Sequence, residues 1–418
     1  MKKSIFLLCC ILLSAVLALA GCSSRRAEEE NSLTAYADRT VAADGLIWKI
    51  PDQMHSSFNF VRWYDPEGGK TGSLHSDPLC MHGMEDQNSC PLANKQVMSI
   101  AAAGNTVWFF NWGNDIDKDS PSGWYRYDFA AQTIKRVADF PETSNLPWAW
   151  CVADGAIWYS YVEDPSFGDG KVHICRTPAD GSGLGREAEE MIPGGLGPEE
   201  YFQFQVDGGE LYLHGRDGTL RRVSDGREWE HGTDVSGGFV YFTRDLRPME
   251  NPADLPESVW KSTLKVYDLW RTPVDGGEDE AVLIAEGVCS SPQFFGDLIV
   301  LTPADPKFFY SFLPTKRSKE EDRIFGVDIS GGRYLIFDAA TGKKTGEIPA
   351  EGFNFYGIVG AGEDWIVAHG LDCRDFEPTG ELKTLEGVTQ EDMTAHEAFF
   401  RIDRKTGEIT RVDPAFWQ

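Results

Sequence analysis

The chain has no Gly-x-Ser-x-Gly nucleophile elbow, no His-Glu-x-x-His zinc helix and no Ser-x-Asp-x-Gly-x-Thr-Trp box. The usual sequence signs of hydrolytic machinery are therefore missing. Positive charge is scarce: 39 Lys and Arg stand against 66 Asp and Glu, a net of −27. Such a surface repels polyanions, which excludes nucleic acid as a partner and disfavours anionic headgroups. It stays soluble outside a cell and tolerates cationic partners. Cysteine is sparse too, nine in 418 residues, with no Cys-x-x-Cys pair. After residue 34 no further linker appears, because the 22 prolines and 43 glycines are spread evenly. One core rarely grows this large, but a repeat architecture escapes that limit.

Internal repetition is present. A short apolar strand, an Asp/Gly turn, an aromatic strand and a third strand ending in Asp or Pro recur along the chain. The turns and second strands read Asp44-Gly45-Leu46-Ile47-Trp48, Gly104-Asn105-Thr106-Val107-Trp108, Asp154-Gly155-Ala156-Ile157-Trp158 and Gly208-Gly209-Glu210-Leu211-Tyr212. Gly237-Gly238-Phe239-Val240-Tyr241, Gly296-Asp297-Leu298-Ile299-Val300 and Gly362-Glu363-Asp364-Trp365-Ile366 complete seven. Third strands include Trp124–Asp128, Val172–Pro178, Asp268–Pro273, Tyr334–Asp338 and Ala398–Asp403. The spacing of about 53 residues holds four strands, so the expected fold is all-β: a β-propeller of about seven four-stranded blades. The 13 Trp, 13 Tyr and 25 Phe suit blades packed face to face. The fourth unit, near 201–230, is the shortest. Ala35–Val41 is expected to close the ring with the last blade. Arg244–Lys265, Pro303–Arg323 and Thr379–Glu397 interrupt the rhythm, and the first and third of these are expected to carry short helices.

The N-terminus has its own signature. Lys2-Lys3 precedes an apolar run from Ile5 to Ala20, closed by Leu19-Ala20-Gly21-Cys22. This is a secretory signal pattern, with its basic residues before a run short for a membrane span. Ala-Gly-Cys resembles the lipobox of bacterial lipoproteins. The resemblance implies removal of residues 1–21 and diacylglycerol on Cys22. It also implies a cell-membrane location facing the extracytoplasmic side. Residues 22–34, with Glu28-Glu29-Glu30, read as a flexible tether, and 35–418 as the propeller.

Two stretches, Leu269-Trp270-Arg271-Thr272-Pro273-Val274-Asp275-Gly276 and Ile174-Cys175-Arg176-Thr177-Pro178-Ala179-Asp180-Gly181, are similar to the repeats of clostridial-type propeller lipoproteins. The domain of those proteins resembles the propeller of low-density-lipoprotein-receptor-related proteins. Asp77-Pro78-Leu79-Cys80-Met81-His82 through Cys90-Pro91 resembles an element of the same family. The family implies a surface propeller and no established activity. Asp338-Ala339-Ala340-Thr341-Gly342-Lys343 and Asp403-Arg404-Lys405-Thr406-Gly407-Glu408 resemble turns of quinoprotein-type propellers. The docking tryptophan after that turn is absent in both, and no cofactor is expected.

Few residues point to chemistry. Cys80 and Cys90 read most simply as a disulfide, with free thiols as an alternative. A zinc site through His82 would lack its fourth ligand. Asp115, Asp117 and Asp119 alternate as in calcium loops, but Ser120 replaces the usual Gly and Arg126 stands where the closing Glu would lie. No metal site is nominated. Gly181-Ser182-Gly183 reads as a hairpin turn, and His173 and His214 as satisfied strand residues. The aromatic insertion Phe308, Phe309, Tyr310 and Phe312 is the candidate binding patch, since long loops on a rigid ring commonly bind. Together these readings imply a membrane-anchored lipoprotein whose propeller binds a protein, peptide or glycan of the envelope. The alternative is a carbohydrate-active hydrolase or lyase using the propeller funnel.

Overall fold

The computed structural model describes residues 35–43, 45–50, 61–74, 97–103, 106–112, 121–129, 131, 133–141, 146–163, 170–197, 200–201, 203–249, 265–305, 308–312, 324–328, 332–374 and 396–413. Seven antiparallel four-stranded blades form a ring, a β-propeller. Within each blade the first strand lies innermost and the later strands follow outward in chain order. The inner strands are Thr40–Ala43, Val97–Ala103, Ala149–Ala153, Gln203–Asp207, Gly232–Ser236, Gln293–Phe295 and Phe353–Ala361. The short fourth unit is a complete blade, ending at Glu228–Glu230. Almost no helix is present: the described residues hold one 3-10 turn, Glu278–Glu280, in blade 5. The stretches expected to be helical, Glu257–Lys261 and most of 379–397, lie outside the described residues. Arg244–Pro248 instead prolongs the second strand of blade 5.

Among the described residues, apolar side chains collect in seven clusters, each sealing two neighbouring blades. Trp48, Val97 and Phe109 join blades 1 and 2, and Phe353, Ile366 and Tyr334 join blades 6 and 7. The strand period of two explains this: alternate side chains of each blade face opposite neighbours. In blade 3, Ile157 and Tyr159 pack toward blade 2 while Trp158 packs toward blade 4.

Ring closure differs from expectation. Among the described residues, blade 1 is built from strands within Thr40–Ser73 and blade 7 from strands within Phe353–Arg411, and no strand is shared between them. Ile47 and Tyr64 of blade 1 meet Trp365, Val367, Phe399 and Val412 of blade 7 instead. Gly360 permits this approach, because a Cβ there would stand 2.4 Å from Ile47 Cδ1. Arg401 then donates from Nε to the Pro66 carbonyl of blade 1 at 2.6 Å. Arg271 of blade 5 makes the same reach, donating to the Ala339 and Ala340 carbonyls of blade 6. In blades 5 and 7 the arginine after the aromatic in the third strand is thus a latch onto the next blade.

Strand direction sorts the connections onto two faces. First-to-second and third-to-fourth turns share one face, called here the turn face. Second-to-third connections and blade crossings share the other, the loop face. On the turn face, first-to-second turns span two or three residues each. Six of seven third-to-fourth turns start with an aspartate that accepts from the backbone ahead, as in Asx turns. Asp65 accepts from Gly68 N at 2.9 Å, Asp128 from Ala131 N at 2.9 Å, and Asp180 from Ser182 N at 2.8 Å. Asp225 accepts from Arg227 N at 3.0 Å, Asp338 from Thr341 N at 2.6 Å and Asp403 from Thr406 N at 2.8 Å. The loop face carries longer connections, including 50–61, 74–96, 249–264, 302–332 and 373–396.

Candidate functional site at the channel and loop face

Residues 35–39 do not join the last blade. They form a strap through the central channel. Ala35 and Tyr36 pair antiparallel with Val152 and Cys151 on the inner strand of blade 3. Ala37 N donates to Trp150 O at 3.0 Å, and Asp38 exchanges two 2.9 Å backbone bonds with Ile100 of blade 2. Val206 N of blade 4 donates to the Tyr36 hydroxyl at 2.8 Å. Ala-Tyr-Ala explains the choice of partner. The small Ala35 and Ala37 let the backbone close on the cluster between blades 2 and 3, while alternation sends Tyr36 across to blade 4. The strap thus touches three blades before becoming the inner strand of the fourth, blade 1.

Beside Tyr36 lies one polar network. Gln205 donates from Nε2 to Asp234 Oδ1 at 2.6 Å and accepts from Val235 N at 2.8 Å. Burial pushes the Asp234 carboxyl up to about 7 against the hydrogen bond from Gln205. Among the described residues it is the one carboxyl whose pKa is raised. Raised carboxyls in clefts are candidate acid–base groups. Sequence offered no sign of it, since an aspartate mid-strand reads as a solvent-facing alternation.

The loop face carries the exposed aromatics. Apart from Tyr36 in the channel, the large exposed aromatics among the described residues are Trp112, Trp148 and Tyr356. Trp112 follows the second strand of blade 2, Thr106–Asn111, and Trp148 precedes the inner strand of blade 3 at 56% exposure. A cleft of about 240 Å³ between those blades is lined by Arg39, Met98, Leu146, Pro147, Trp148 and Trp150. Trp150 is held by a 2.7 Å bond from Nε1 to Ser99 Oγ. On blade 7, Tyr356 sits at a register shift between Phe355 and Gly357. Such bulges re-aim side chains. Its ring meets His369 edge-on at 5.4 Å, and His369 Nε2 lies 3.1 Å from Glu397 Oε1.

Several residues singled out in the sequence can be placed. Phe308–Phe312 forms a strand paired with Ile324–Asp328, with Phe309 opposite Val327 and Tyr310 opposite Gly326. This hairpin is inserted between the second and third strands of blade 6, hence on the loop face. Cys22, Cys80, Cys90, His82, Asp115, Asp117 and Asp119 lie outside the described residues. Cys151 and Cys175 are buried free thiols. Among the described residues no cluster of His, Cys, Asp or Glu is arranged for a metal. Gly181–Gly183 lies in a turn, with Leu184 N bonded to Gly181 O at 3.4 Å. His173 is paired, 2.6 Å from Glu190. His214 is not the satisfied residue expected: Nε2 is buried without a hydrogen-bond partner among the described residues, and desolvation lowers its pKa to about 4.

No known family profile matches this chain. No curated protein matches it either. Among solved structures it is similar to the computationally designed Ika8 protein, at 9% identity and a TM-score of 0.41 over 90% of this chain and 86% of that one. It is similar to a chain from a study of two prolyl endopeptidases, at 12% identity and a TM-score of 0.47, covering 93% and 51%. A puromycin-hydrolyzing peptidase of Mycobacterium tuberculosis follows at 11% identity and 0.46, covering 93% and 54%. The chain spans about half the length of these two peptidase chains.

Proposed function

We propose that this protein is a lipid-anchored, extracytoplasmic binding module. Cys22 carries the lipid, and the propeller presents its loop face to an envelope protein, peptide or glycan. The observation that carries the reading is the strap: the funnel a propeller enzyme would use is occupied by the chain's own residues 35–39. Binding then falls to the rim of the loop face, where Trp112, Trp148 and Tyr356 are exposed. Tyrosine and tryptophan supply contact area at low entropic cost, which suits them to recognition. The Phe308–Phe312 hairpin belongs to the same face.

The test is capture from living cells. Replacing Phe309 and Tyr310 together by alanine, or Trp148 by alanine, should weaken cross-linked capture at least several-fold with folding intact. Unchanged capture in all of these variants would remove the loop face from the proposal. Cys22→Ser should fold normally but be lost to the medium or persist as precursor. Finding it membrane-bound and mature would overturn the anchor.

A carbohydrate-active enzyme is the second reading, and Asp234 is the observation in its favour. A glycosidase needs two carboxyls, acid and base or nucleophile, whereas Asp234 is partnered by Gln205. Asp234→Asn abolishing a polysaccharide-cleaving activity would promote this reading over binding alone.

A further inference from the structure

The strap fixes which face of the disc meets the membrane, given the Cys22 anchor of the preceding section. The inner strand of blade 3 runs from the loop face at Ala149 to the turn face at Ala153. Ala35 pairs with Val152, near the turn-face end. Asp38 and Arg39 lie toward the loop face, where Arg39 O accepts from Ile50 N at 2.8 Å. The chain therefore enters the channel from the turn face and runs down it before starting blade 1. We infer that the tether leaves at the centre of the turn face, so that the turn face lies against the lipid surface and the loop face is presented away from it.

The tether length decides whether this orientation holds. Thirteen residues, 22–34, can reach at most about 45 Å. To invert the disc, the tether must cross one blade and descend its rim. Four strands at about 4.8 Å span roughly 19 Å, and the seven-residue rise from Phe239 to Leu246 spans roughly 23 Å. Inversion thus demands nearly the whole contour length, which costs most of the tether's conformational freedom. The short, aspartate-capped turns form a low surface toward the bilayer. The aromatic rim and the Phe308–Phe312 hairpin point outward.

Energy transfer to the bilayer tests this. The full-length lipidated protein is placed in phosphatidylcholine vesicles that contain an acceptor-labelled lipid. A donor dye is attached through an encoded azide amino acid, at position 343 on the turn face or at position 246 near the loop-face end of blade 5. Transfer should be several-fold greater from 343. Equal or greater transfer from 246, with the protein bound, would overturn the orientation and leave the anchor standing. Failure of the wild-type protein to bind vesicles would overturn the anchor and the orientation with it. Doubling the tether with a Gly-Ser insert after Thr34 should bring the two signals toward equality; an unchanged ratio would mean that the strap and tether do not set the orientation.

Discussion

The two faces of this disc are built by opposite rules. On the turn face most connections are short, six of the third-to-fourth turns are held by an aspartate, and neighbouring blades are tied across it. Asp207, for example, accepts from Gly237 N and Gly238 N of the next blade at 3.1 and 2.8 Å. The longest connections all lie on the loop face, as do the exposed tryptophans and Tyr356. The contrast teaches a division of labour. One face holds seven blades in register, and the other carries the long insertions that the proposal assigns to binding.

Substitutions should separate the faces. The largest stability loss is expected from Gly342→Ala on the turn face. Gly342 has φ +68°, and a Cβ would stand 2.6 Å from Ile284 Cδ1. The left-handed backbone and the clash together should cost about 2–4 kcal/mol, visible as a lower midpoint in denaturant. Arg401→Ala comes next. Losing the latch to Pro66 should cost about 1–3 kcal/mol, and it should loosen blade 7 against blade 1 first in hydrogen exchange. Trp148→Ala should change stability by no more than about 0.5 kcal/mol while still reducing capture. A Trp148→Ala protein as unstable as Gly342→Ala would erase the distinction.

Acid should set the turn face apart from the channel, because their carboxylates titrate with opposite sign. Hydrogen bonds from Ser182, Thr341 and Thr406 hold Asp180, Asp338 and Asp403 below the ordinary carboxylate range. Arg222 draws Asp225 down to about 2. Their contribution is present above about pH 4 and is lost as pH falls toward these lowered values. Asp234 behaves inversely. Its raised pKa means that stability is full below about pH 4 and declines as pH rises toward about 7. Unfolding measured from pH 2 to pH 8 should show both slopes. Asp234→Asn should flatten the upper one and leave the lower one in place.

Much of the frame was legible. The seven turns, the aromatic second strands and the aspartates at or just after the end of most third strands are local signals with local causes, namely alternation and Asx capping. The arginine of the Trp-Arg-Thr-Pro stretch was visible as a pattern, but its role was not, since the carbonyl it reaches belongs to another blade. The strap was misread for a related reason. Ala35–Val41 reads as a strand, but its partner is chosen by long-range fit: two small alanines against blade 3 and a tyrosine hydroxyl reaching Val206. Asp234 was silent in the sequence, because its burial comes from neighbours far along the chain. The loop-face tryptophans were counted among core aromatics, and only the ends of their strands distinguish them.

Binding through the loop face is tested by comparing the two faces in living cells. A photo-crosslinking amino acid is placed at position 98 in the loop-face cleft or at position 343 on the turn face. Binding through the loop face predicts a saturable protein or glycan adduct from position 98, competed away by unlabelled propeller, and none from position 343. An adduct from position 343 with none from position 98 would contradict it.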